Sequence, residues 1–161
     1  MAIETPKDTD PASWHRFFAI ENNNRAWDLA GMPARTDEES LEMLNTAHAA
    51  ALHWGKVGNE LNRMRASLLL AEVHALADFG QSSLALAEEV LGYFLKRETD
   101  DWEIAFVHTI HAHAAAAAGD GERHRDSYQA AERSIAAIAD DADREVVLET
   151  FVQVPIPQKR V

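Results

Sequence analysis

The chain has 161 residues, 47% of them hydrophobic and 26% charged, with a formal net charge of −12, a balance that sustains one buried core and excludes a disordered chain. The acidity is spread along it, −5 for residues 1–80 (7 basic, 12 acidic) and −7 for residues 81–161 (8 basic, 15 acidic), with no basic cluster beyond Lys159-Arg160, so neither a nucleic-acid nor a membrane partner is expected. The absence of cysteine removes disulfides, thiolate metal sites and cysteine nucleophiles; with no signal-peptide pattern in MAIETPKDTDP and no run of ~18 apolar residues, it points to a cytoplasmic protein.

Residues 1–10 read as an N-terminal extension, residues 11–151 as one helical domain and residues 152–161 as an extended tail. Asp10 followed by Pro11 supplies an N-cap and first helical residue, opening a helix over about 11–30 that Asn22-Asn23-Asn24 could split. Thr36 with Glu39 forms a capping box for a helix over 37–54. Asn59 starts the next, over 59–79, and a fourth follows over 82–97. Asp100 with Glu103 reads as a second capping box for 101–118, Asp120 caps 121–139, and Asp140 or Asp141 caps 141–151. Gly31, Gly55, Gly80 and Gly119 stand just past apolar stretches, where a left-handed residue ends a helix and glycine adopts it without steric penalty. In the tail, Pro155 and Pro157 favour extended backbone, and Val152, Val154 and Ile156 are expected to pack along the helices, leaving only the residues from about Gln158 free.

Short connections make consecutive helices antiparallel neighbours. HALADFG at 74–80 and HAAAAAG at 113–119 end alike, with glycines 39 residues apart, the mark of a repeated helical hairpin. The largely apolar Ala66–Ala77 and the five alanines of 114–118 suit close helix approach. The segments FGQSSLALAEE and AGDGERHRDSYQAA carry Gly80, Ala85 and Leu86 in the first and Gly119-Asp120, Tyr128 and Ala131 in the second. On these residues, over about 59–151, the chain resembles tetratricopeptide-like helical-repeat proteins, in particular small bacterial ones. The resemblance implies an all-α fold: a right-handed stack of three antiparallel hairpins, with the seventh helix capping its end and the first helices of the hairpins lining a concave binding surface.

Eight histidines are the compositional oddity. Helical metal sites use His-x-x-x-His, His-Glu-x-x-His or paired Glu-x-x-His, and none is present, so neither metal nor cofactor is expected. His108 and His111 share a face by spacing; His111 and His113 do not. His48 continues the stripe Leu41, Leu44, Ala51 and reads as buried or half-buried with one satisfied nitrogen. His53, before Gly55, reads as an imidazolium favoured by a helix C-terminus, with Trp54 covering the turn. His74 and His113 both stand six residues before a repeat glycine, which places them on equivalent positions of neighbouring helices facing one groove, unless the repetition serves packing alone. Asp78, one turn after His74, would raise its pKa.

Trp102, beside Asp101 and Glu103, is an anchor candidate for a binding surface or a lid over the preceding hairpin. Arg63 and Arg65 diverge and read as solvated charge. Nucleophile-elbow, Walker, dinucleotide and EF-hand signatures are missing. The expected function is non-catalytic binding of a protein or peptide, with His74, His108, His111, His113 and Trp102 as binding candidates, or self-association as a homodimer. The second possibility follows from Trp14, Phe17, Phe18, Ile20, Trp27 and Leu29 on the first helix, more apolar surface than helix 37–54 can obviously cover. An alternative is a small-molecule or metal-dependent enzyme built on the four histidines.

Overall fold

The computed structural model describes residues 3–7 and 9–158, and seven helices account for the secondary structure among them, with no strand. They are α1 (Pro11–Ala30), α2 (Asp37–Val57), α3 (Glu60–Leu76), α4 (Gly80–Phe94), α5 (Asp101–Ala117), α6 (Gly121–Ala137) and α7 (Asp141–Phe151). Local capping chemistry fixes most of the starts. Asp10 accepts from the Ser13 amide, Thr36 and Glu39 complete a reciprocal box, Asn59 and Asn62 make another, Asp120 accepts from Arg123, and Asp140 accepts from Ala142 and Asp143. Each such bond satisfies an amide the helix leaves without a partner. Asp100 departs from expectation: its side chain makes no capping bond, the Glu103 amide bonds to the Asp100 carbonyl instead, and the Glu103 side chain goes to Arg65 on α3.

The glycine stops need correction. Gly31 is right-handed at φ −73°, α2 runs straight through Gly55 to Val57, and Gly80 is the first residue of α4 rather than a left-handed residue just past α3. Among the described residues, the left-handed positions are Gly119 (φ 73°) and Asp78 (φ 61°). Asp78 to Gly119, Gly80 to Gly121, and Glu60 to Asp101 at the starts of α3 and α5 are each 41 residues apart. The repeat therefore has a 41-residue register. Asp tolerates left-handed geometry better than most residues with a Cβ, so Asp78 does in one hairpin what Gly119 does in the next.

Helices form consecutive antiparallel contacts, and the odd-numbered ones also touch in series, α1 to α3, α3 to α5 and α5 to α7. No two even-numbered helices approach one another comparably among the described residues. The odd-numbered helices therefore form the layer of the stack whose members touch one another. One core cluster joins α3, α4 and α5 through Leu68, Leu84, Val90, Phe94 and Ile110; another joins α1, α2 and α3 through Leu29, Met43, Leu69 and Val73. A smaller one seats α7 on α5 and α6 through Ile135, Ile138 and Val147. Each fully buried large side chain contributes roughly 1.5–3 kcal/mol. Ala114 and Ala115 are fully buried, as expected of a close helix contact.

The unsplit α1 distributes its apolar residues. Leu29 is buried against α2 and α3, Trp27 meets Phe106 of α5 at 5.3 Å between ring centroids, and Phe17 and Ile20 lie beside Ile3 and Pro6 of the N-terminal segment. Trp14, Phe17 and Phe18 form a ring cluster, with Phe18 still 40% exposed. In the tail, Val154 is buried, but Val152 and Ile156 are exposed, because the chain leaves α7 through a turn and only one of the three positions faces inward. The Pro155 carbonyl accepts from His124 Nε2 at 2.7 Å, holding the tail against α6. The expectation for the end of the tail lies, from Lys159 onward, outside the described residues.

Candidate functional site

The odd-numbered layer carries two adjoining cavities. Helical spacing puts Ile20, Asn23 and Trp27 on one face of α1, Asn62, Arg65 and Leu68 on one face of α3, and Trp102, Glu103 and Phe106 on one face of α5; with Trp54 from α2 they enclose about 300 Å³. The second cavity, about 710 Å³, is bounded by Trp27, Asp28, Glu72 and Phe106 and, from α7 and its end, Val146, Glu149, Thr150 and Gln153. Trp27 and Phe106 line both. Their contact is the partition.

Three indoles and a phenyl ring make the first cavity an aromatic box with one polar wall. There Arg65 grips Glu103 in a two-pronged ion pair, Nε to Oε1 at 2.6 Å and Nη2 to Oε2 at 3.1 Å. The carboxylate is buried and the guanidinium partly exposed; the hydrogen bond to Glu103 holds the Arg65 pKa above its ordinary value. Of the sequence candidates, Trp102 is in this box. Trp27 and Trp54, read as an end patch and a turn cover, belong here too, and so do Arg65, taken for a solvated charge, and Glu103, assigned to a cap. No family model, curated protein or solved structure matches the chain.

The histidines do not converge on the groove. His74 points away from the odd-numbered layer, with Nδ1 2.7 Å from the Ser82 hydroxyl and Nε2 3.1 Å from Nε2 of His48. His48 is exposed rather than buried. His111 is buried and bonded to the Ser127 hydroxyl, while His113 is bonded to Glu72. His108 is half-buried near Arg133. His74 and His113 part company because in the 41-residue register the counterpart of His113 is Glu72, not His74. No group of three or more metal-ligating side chains assembles among the described residues.

Burial lowers the pKa of His53, His74, His108, His111 and His124, with a neighbouring basic side chain assisting at each and with Glu88 opposing at His111 and the Pro155 carbonyl at His124. For His53 the neighbour is His15, whose Nδ1 is 2.7 Å from its own, which replaces the expected helix-end imidazolium. For His74 it is His48 and not Asp78, so the expected upward shift is reversed. His113 is the exception: burial presses its pKa down, but the charge and hydrogen bond of Glu72 outweigh burial and raise it. A lowered histidine contributes stability that is present above the unfolded value near 6.5 and is lost as pH falls below it; the raised His113 works in the opposite sense.

Proposed function

We propose that the chain is a tetratricopeptide-like binding module whose odd-numbered helices receive a segment of another protein, anchored by a large apolar or aromatic side chain in the Trp27–Trp54–Trp102 box. The observation that carries this reading is the pair of adjoining cavities on one layer, one of them walled by three tryptophans. Its volume of about 300 Å³ stands at the lower end of ligand pockets and suits a single large side chain. Tryptophan-rich, desolvated pockets are where binding energy concentrates, since a rigid ring loses little entropy on contact. The Arg65–Glu103 pair fits a binding role: each charge is already answered by the other, which gives the wall shape and polarity without a free acid or base.

The test is selection of peptides from a displayed random library on the folded protein. Enriched sequences are expected to share an aromatic or large aliphatic residue, and Trp102→Ala is expected to weaken them by about 2 kcal/mol, or roughly thirtyfold, with unchanged helical circular dichroism. Peptides that bind equally well to the variant would move the site elsewhere.

A further inference from the structure

We infer that the second cavity takes the basic side chain of the bound segment, an arginine or lysine placed next to its apolar anchor; this rests on the groove reading above. The cavity has Asp28, Glu72 and Glu149 in its walls and no lysine or arginine. Glu72 is buried and engaged by His113, which leaves Asp28 and Glu149, both exposed, as the carboxylates at the mouth. Of the arginines beside α1, Arg25 pairs with Glu42 at 2.7 Å, and Arg35, whose charge reaches the His113–Glu72 pair, donates to the carbonyls of Leu29, Ala30 and Met32, so that it is spent on the negative end of α1.

The rest of the wall suits the stem of such a side chain. Val146 and Val152 are 56% and 76% exposed, apolar surface beside the carboxylates that a methylene chain can cover while its charged head stays among the acids. The partition presents Trp27 and Phe106, aromatic surface against which a cation is favoured. A neutral apolar occupant would leave the two carboxylates facing it. An acidic one would meet them with like charge, on a chain whose net charge is already −12.

Fluorescein-labelled synthetic peptides test this. Each carries one tryptophan or phenylalanine and, at varied spacing from it, one arginine, lysine, glutamine or glutamate. Arginine and lysine peptides are expected to bind about tenfold tighter than their glutamine counterparts at low salt. The double variant Asp28→Asn, Glu149→Gln is expected to erase that difference; both positions are exposed, and an unchanged melting curve confirms the fold. Equal binding of arginine and glutamine peptides, still dependent on Trp102, would overturn the basic-residue assignment and leave the groove reading standing. Binding of none of these peptides, together with failure of the library selection, would overturn both.

Discussion

Gly80→Ala is expected to destabilise the protein by about 3 kcal/mol, and Gly119→Ala by only about 1 kcal/mol. The two glycines resemble each other in sequence but act through different physics. A Cβ on Gly80 would lie 2.1 Å from the Ala117 carbonyl oxygen and 2.3 Å from its carbon. That is backbone meeting backbone, where the start of α4 crosses the end of α5, so the helices themselves must separate. A Cβ on Gly119 would meet nothing within 4 Å, and the penalty there is the left-handed φ of 73° alone. At roughly 2–4 °C per kcal/mol for a chain of this size, Gly80→Ala should melt about 6–12 °C early and Gly119→Ala about 2–4 °C early. Equal shifts, or the reverse order, would show that α4 and α5 do not meet at this glycine.

The helices were legible because their signals are local. Asp10, Thr36, Asn59, Asp120 and Asp140 each act within three residues of themselves, and a pattern that short survives any tertiary arrangement. The repeat register was not legible in the same way. HALADFG and HAAAAAG coincide at their glycines, but the left-handed residue of the first is Asp78, and an aspartate in that role looks like an ordinary charged residue. The two-residue error put His74 opposite His113 and hid Glu72, which sits at the equivalent position and touches it. Trp102 could be nominated from its place in a first turn. Trp27, Trp54 and the Arg65–Glu103 pair could not, since what unites them is the crossing of four helices from distant parts of the chain. Here the sequence marks element boundaries, and the packing assembles the site.

Removing Glu72 is expected to cost about 3 kcal/mol near pH 6 and distinctly less near pH 9. Both partners are withdrawn from water, Glu72 at 1% and His113 at 6% exposure, with Nδ1 3.0 Å from each carboxylate oxygen, and the pair ties α3 to α5. With Glu72 present the folded pKa of His113 is raised, so its contribution is complete below the unfolded value near 6.5 and declines as pH rises through the folded one. In Glu72→Ala burial acts alone, and a proton on His113 then favours unfolding. The variant's penalty must therefore be largest where His113 is charged. Replacing both residues by leucine removes the buried charges together and is expected to recover much of the loss, since an ion pair exchanged for apolar groups is often close to neutral. Urea denaturation of the wild type, Glu72→Ala and the double variant at the two pH values separates these effects. A penalty identical at both pH values would mean that His113 carries no proton in the fold and that Glu72 accepts only a neutral hydrogen bond.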